Sequence, residues 1–178
     1  MKQYAIALAF KGKLLKELLN AWHILDKEMK INAIPSLSPR PHITINAGEL
    51  NNTEKIIKIL KKIKFKKFKL TSLGIGIFAK KEPIVYLRWE QNNNLKKLFN
   101  LVHNKTSKLY KNKNRFSSPA FWIPKTTIAM KDTKYSNLEL ILKKINFLSG
   151  LNYAIIDSII FMSFDENGET FLNEFDLK

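Results

Sequence analysis

Two proline-led segments, 83 residues apart, constrain the fold of this chain more than any other feature: Pro41-His42-Ile43-Thr44-Ile45 and Pro124-Lys125-Thr126-Thr127-Ile128. Proline disfavours helix at the preceding residue, and the β-branched residues that follow favour a strand. Because strand side chains alternate between faces, His42 and Thr44 share one face of the first strand. An imidazole beside a hydroxyl suits a phosphate and a proton transfer, although a hydrogen-bonded structural histidine is an alternative. The second segment keeps the hydroxyl two residues on but has Lys125 at the histidine position.

Hydrophobic periodicity places the two motif strands in a repeated order of elements. The order is strand, helix, motif strand, helix, strand, strand, and then helix, motif strand, helix, strand, strand. The other strands are predicted at 3–10, 65–77, 84–89, 153–164 and 170–177, and helices at about 14–30, 53–63, 94–110 and 137–147. The repeated order predicts two lobes, roughly 1–90 and 91–178, within one domain, with the motif strands facing each other across a cleft.

Smaller signals refine this outline. Thr53 is predicted to cap its helix, while 31–39 and 111–119 are predicted as connections. Gly74 and Gly76 lie inside a predicted strand, which indicates a bulge or a close backbone approach. His23 and His103 lie beside the apolar stripes of their helices, so we expect both on the helix surface.

The charge of the chain favours a polyanionic partner, with nucleic acid first. Of 178 residues, 31 are basic and 15 acidic, which gives a net charge of +16. The alternative is biased base composition, because the lysines accompany abundant isoleucine and asparagine. The basic stretch Lys111–Arg115 would guide an RNA backbone, or else form a solvated loop. There is no cysteine, which excludes disulfides, thiolate nucleophiles and cysteine metal sites.

The sequence contains no convincing targeting or membrane segment. The apolar run Tyr4 to Phe10 is short for a secretory signal, and no run approaches the ~20 residues that a membrane span needs. We therefore expect a cytoplasmic protein without a membrane partner, while protein partners and oligomeric state are not predicted.

With its two motifs and its order of elements, the chain resembles the 2H phosphoesterase superfamily, in its 2′-5′ RNA ligase-like and cyclic phosphodiesterase branch. The family pattern is His-x-Thr/Ser-x with apolar x, occurring twice, commonly just after proline. Pro41-His42-Ile43-Thr44-Ile45 matches it fully; Pro124-Lys125-Thr126-Thr127-Ile128 matches in context and hydroxyl but not in histidine. The resemblance extends over nearly the whole chain.

The resemblance implies a bilobal, pseudo-symmetric α+β fold, in which two antiparallel sheets line a central cleft and the helices lie outside. It also implies an RNA-binding hydrolase acting on cyclic phosphates or 2′-5′ linkages at RNA or nucleotide ends, without metal or cofactor. In that scheme one histidine activates the nucleophile, the other protonates the leaving oxygen, and two hydroxyls hold the phosphate. His42, Thr44 and Thr127 would keep those roles. Further candidates for substrate binding are Arg40, which would meet phosphate, and Tyr4, Tyr86 and Trp122, which would stack a base or else pack in the core.

Lys125 decides which activity the resemblance allows. A lysine with its ordinary pKa of ~10.4 is a poor proton donor, but burial or a positive neighbour would lower that pKa. Three alternatives remain open. The protein is a slow or altered esterase with Lys125 as phosphate clamp or atypical acid; it has recruited another acid; or it is an inactive relative that binds RNA or nucleotide ends.

Overall fold

The structure, a computed structural model, describes residues 2–38, 40–150 and 153–178. The described residues form eight strands and five α-helices. The strands are β1 Gln3–Lys11, β2 Ile43–Leu50, β3 Phe68–Phe78, β4 Ile84–Trp89, β5 Tyr110–Lys111, β6 Lys125–Ala129, β7 Tyr153–Asp165 and β8 Gly168–Asp176. The helices are α1 Lys13–Met29, α2 Ala33–Leu37, α3 Thr53–Lys61, α4 Asn93–Thr106 and α5 Leu138–Ile145. The predicted elements occur in the predicted order, and α2 and β5 are additional.

All strand pairs in the described ranges are antiparallel, and they form one connected sheet in the order β5-β2-β1-β7-β3-β4-β6, with β8 beside β7. Strand β3 joins the two parts of this sheet. Its residues 68–71 pair with β7 and its residues 72–78 pair with β4. The predicted α+β architecture of antiparallel strands and helices is confirmed, with the two predicted sheets connected through β3.

Strand pairing crosses the boundary near residue 90 more than once. Strand β7, from the second half of the sequence, lies between β1 and β3, which come from the first. Strand β4 pairs in turn with β6. The division into lobes of 1–90 and 91–178 stays a prediction.

Apolar side chains from both halves form the main core. Helix α1 buries Leu14, Leu18 and Leu25, the stripe expected from its periodicity. Phe10 of β1 contacts Trp89 of β4 edge to face, with ring centroids 5.4 Å apart. The two parts of the sheet are therefore held together by packing as well as by strand pairing. Among the described residues, no helix combines the length and apolar character that a membrane crossing requires.

The two glycines of β3 confirm the expectation of irregular backbone and close approach. The register between β3 and β4 shifts between Ser72 and Ile75, and Gly74 in this bulge has φ +95°. A Cβ on Gly76 would lie 2.5 Å from the ring of Tyr86. Only glycine leaves room for that ring.

Of the predictions for caps and connections, two were wrong and one was incomplete. Asn52 rather than Thr53 caps α3, because its side chain accepts a hydrogen bond from the backbone N–H of Lys55. The connection 31–39 contains the short helix α2, despite Pro35. The connection 111–119 begins at the end of β5 and includes a 3₁₀ turn over Arg115–Ser117.

Candidate active site

The two motif strands are joined by hydrogen bonds from a side chain of the second motif and from Trp122, two residues before it, to carbonyl oxygens of the first motif. The hydroxyl of Thr126 donates to the carbonyl oxygen of His42 over 3.1 Å. The indole Nε1 of Trp122 donates to the carbonyl oxygen of Thr44 over 2.8 Å. Thr126 is almost fully buried, and its hydroxyl also accepts from Nε1 of Trp89. The separation of the motifs is therefore fixed by the backbone of the first and by side chains in and just before the second.

The four residues predicted to be catalytic, His42, Thr44, Lys125 and Thr127, line one cavity of about 410 Å³. Much of the rest of its wall is apolar and aromatic: Phe78, Phe116, Phe121, Trp122, Ile123 and Phe164. A cavity wall that combines apolar and aromatic side chains with polar groups is typical of a small-molecule site.

His42 is held in one tautomer. Its Nδ1 lies 3.0 Å from the carbonyl oxygen of Arg40, and a carbonyl only accepts, so Nδ1 carries the proton and donates. Nε2 has no hydrogen-bond partner among the described residues, and it is accessible to solvent. In a neutral ring this leaves the Nε2 lone pair free to accept a proton.

Lys125 is mostly buried in the cavity wall, and its Nζ donates to the hydroxyl of Thr127 over 3.0 Å. Burial, and then the nearby positive charge of Lys80, lower the pKa of Lys125 from 10.5 to about 8. The Nζ also lies 6.0 Å from the centroid of the Phe78 ring. Lys125 can therefore exchange a proton near neutral pH, which a solvated lysine cannot do readily.

Arg40 lines the cavity, but its guanidinium is already engaged. Nη1 lies 3.2 Å from a carboxylate oxygen of Glu174 on β8, and Nη2 donates to the carbonyl oxygen of Phe10. Burial raises the pKa of Glu174, but the hydrogen bond from Ser158 and the charge of Arg40 outweigh it, so that pKa lies below its ordinary value. Arg40 therefore anchors the segment whose carbonyl orients His42.

The three aromatic candidates differ in position. Trp122 lines the cavity, but its ring stacks on Phe99 with centroids 4.0 Å apart. Tyr86 packs over Gly76 and stacks on Phe78, and Tyr4 stacks on Phe161. Among the described residues, neither tyrosine belongs to the cavity wall.

His103 is not the solvated helix residue that its position predicts. It is half-buried, its Nδ1 lies 2.9 Å from Oδ1 of Asn46, and its ring stacks on Phe99. Burial, and then Lys113, lower its pKa below the ordinary value. His23, in contrast, is exposed, as expected. His103 belongs to the packing behind Trp122, which is a structural role.

Solved structures show which fold this is, whereas no protein-family model and no curated protein matches the chain. E. coli LigT complexed with 3′-AMP superposes with a TM-score of 0.68 at 15% identity, over 99% of this chain and 98% of that one. A phosphoesterase superposes with a TM-score of 0.67 at 14% identity, again over 99% of this chain and 98% of that one. TT0787 of Thermus thermophilus superposes with a TM-score of 0.63 at 12% identity, over 98% of this chain and 97% of that one. The chain has the 2H phosphoesterase fold.

Lys80, Thr126 and Glu169 also line the cavity and were not among the predicted site residues, although Thr126 lies within the second motif. Lys80 follows the end of β3, and Glu169 is the second residue of β8. Their place in the cavity wall therefore depends on how the hairpins β3–β4 and β7–β8 pack in the fold, which local sequence patterns do not show. Oε2 of Glu169 is buried without a hydrogen-bond partner among the described residues and lies 3.9 Å from Nδ1 of His42. The described ranges contain no group of three His, Asp or Glu side chains that could hold a metal ion.

Proposed function

We propose that this protein is a phosphoesterase that acts on 2′,3′-cyclic phosphates or 2′-5′ linkages at RNA or nucleotide ends, with both proton transfers made by side chains. The observation that carries the proposal is the common cavity of His42, Thr44, Lys125 and Thr127. The fold neighbours support the same class of ligand. E. coli LigT, a 2′-5′ RNA ligase, has been crystallised with 3′-AMP, ATP, NADP⁺ and phosphate.

In this proposal His42 is the general base. The Arg40 carbonyl holds the proton on Nδ1, so Nε2 accepts the proton of the attacking water as the new P–O bond forms. The ion pair between Arg40 and Glu174 anchors that carbonyl. The imidazolium that forms is stabilised by the carboxylate of Glu169, 3.9 Å from Nδ1.

Lys125 is the general acid. Its ammonium donates a proton to the oxygen that leaves phosphorus, so the P–O bond breaks with a neutral hydroxyl as leaving group. The lowered pKa of about 8 supports this role, because an acid works best when its pKa lies near the working pH. The active form combines neutral His42 with protonated Lys125.

The two hydroxyls hold the phosphate. Thr127 accepts a hydrogen bond from Lys125, so its own O–H remains to donate to a phosphate oxygen. Thr44 lies on the facing strand, and Lys80 adds a second positive charge to the wall. Donors and cations arranged before the reaction stabilise the charge that develops on phosphorus.

The second candidate is a binding module for phosphorylated RNA or nucleotide ends. The hydrogen bond between Lys125 and Thr127 favours it, because a lysine held in this way is also a fixed positive charge beside a phosphate-binding hydroxyl. The two candidates differ in whether Lys125 releases its proton.

Incubation with 2′,3′-cyclic nucleotides in the presence of EDTA separates the two. We expect turnover in the wild type, a loss of about 10²–10⁴ in rate in both His42→Ala and Lys125→Met, and no change in His23→Ala. His23 is exposed on α1 and so controls for the loss of a histidine. Turnover that appears only in Lys125→His, with tight binding and no turnover in the wild type, would support the binding module instead.

A further inference from the structure

Half of the net charge of the chain is concentrated in one short segment. Residues 55–69 contain eight lysines and no acidic residue, so these 15 of 178 residues carry +8 of the net +16. A bias in base composition would spread lysine along the whole chain. It therefore does not account for this concentration, which indicates a dedicated anionic partner.

The lysines of this segment are available to a partner. All eight are exposed, and among the described residues none of them forms an ion pair. They are Lys55, Lys58, Lys61, Lys62, Lys64, Lys66, Lys67 and Lys69. Of the apolar residues between them, Ile56, Leu60 and Phe68 are buried and the others are partly buried. The segment thus exposes its charge more fully than its hydrophobic surface.

Part of the segment forms the wall of an open groove of about 590 Å³, which we call the lysine groove. It is lined by Lys64, Phe65, Lys66, Lys67, Phe68, Asn94 and Lys178. Two backbone hydrogen bonds fix its shape, from the N–H of Lys67 to the carbonyl of Lys178 and from the N–H of Lys178 to the carbonyl of Phe65. Phe65 and Phe68 meet edge to face, 5.9 Å apart, at its floor.

The lysine groove is separate from the candidate active site. Strand β3 begins at Phe68, in the groove, and ends at Phe78, in the cavity wall. Ten strand steps of ~3.3 Å put these two residues roughly 30 Å apart. No described residue lines both sites.

We propose that the lysine groove binds the phosphate backbone of single-stranded nucleic acid, independently of any reaction in the cavity. Lysines that replace condensed counterions bind phosphates without reading sequence. A membrane surface is disfavoured, because no large apolar side chain of residues 55–69 is exposed for insertion. Phe65 and Phe68 lie among the lysines of the groove, and a basic groove with aromatic rings is typical of sites that bind single strands.

The test compares two triple variants of equal charge. The first, Lys64→Gln/Lys66→Gln/Lys67→Gln, removes groove lysines; the matched control, Lys13→Gln/Lys16→Gln/Lys27→Gln, removes exposed lysines of α1. Binding of a labelled RNA of about 20 nucleotides without a cyclic phosphate is followed by fluorescence anisotropy across a salt series. We expect the groove variant to bind about tenfold more weakly or worse, with a salt slope smaller by about 2, since each single-strand phosphate contact adds ~0.7.

The control variant should retain wild-type affinity within about threefold, and circular dichroism should show both variants folded, since the changes are on the surface. Equal weakening in both variants would mean that only net charge attracts RNA, and the groove assignment would fail. Unchanged RNA binding in the groove variant would also overturn it. So would stronger binding of the wild type to phosphatidylserine vesicles than to RNA, because the segment would then be a membrane surface.

Discussion

Replacing Lys125 with methionine tests the electrostatics of the cavity through stability alone. The fall in the pKa of Lys125 from 10.5 to about 8 means that folding disfavours the protonated form by about 3 kcal/mol, at 1.36 kcal/mol for each pKa unit. Methionine has a similar shape and no charge. It forfeits the hydrogen bond to Thr127, worth about 1 kcal/mol. We therefore expect the free energy of unfolding of Lys125→Met to exceed that of the wild type by about 2 kcal/mol at pH 7.

This gain must depend on pH in a definite direction. Between pH 8 and 10.5 the unfolded wild type binds more protons than the folded one, so wild-type stability rises with pH. The advantage of Lys125→Met should therefore shrink to nearly zero by about pH 9.5. Urea unfolding of the wild type and of Lys125→Met at pH 7 and at about pH 9.5 measures this difference in stability. The control is Lys13→Met, a change of an exposed lysine, whose stability should lie within about 0.5 kcal/mol of the wild type at each pH. A difference that is absent at pH 7, or constant with pH, would refute the assigned cause.

Three further predictions concern the surroundings of the site. Lys80→Gln should raise the pKa of Lys125 and move the basic limb of the kcat/KM profile upward from about pH 8, since activity needs protonated Lys125; a limb that stays or falls contradicts this. Thr126→Val leaves Nε1 of Trp89 unpaired in the core and should cost about 1–3 kcal/mol in urea unfolding, and a neutral result would mean that the bridge between the motifs contributes nothing. Glu174→Gln should lose less stability than the wild type between about pH 6 and 3, because the lowered carboxylate pKa gives stability that disappears as pH falls; parallel curves would argue against the ion pair.

Local sequence patterns predicted helices and strands well where a single clear pattern covered the whole element. Strand β4 has the predicted bounds, Ile84 to Trp89, because its alternation is complete and turn residues precede it. Gly76 was linked to a close backbone approach, which the ring of Tyr86 makes. Helix ends were less certain, since Asn52 and Thr53 are both acceptable caps and only the backbone decides between them.

The candidate site was predictable only in part. The spacing of the two motifs indicated that His42 and Lys125 would face one cleft, and both line the same cavity. Periodicity could not identify Glu174 as the partner of Arg40, 134 residues away, because that contact depends on β8 lying beside β7. Nor could it decide whether Tyr4 and Tyr86 stack a base or pack in the core, since alternation gives two faces but not which one meets the cavity.

The hydrogen bonds from Thr126 and Trp122 to the backbone of the first motif have a consequence for substrate entry. A hinge motion that separated the two motif strands would have to break both bonds, and it would leave the indole N–H of Trp122 and the hydroxyl of Thr126 without these acceptors. We therefore expect ligand entry to depend on loops and side chains around the cavity rather than on separation of the two motif strands. An exchange of the side chain at position 125 would therefore change the charge of the cavity while both hydrogen bonds between the motifs stay in place.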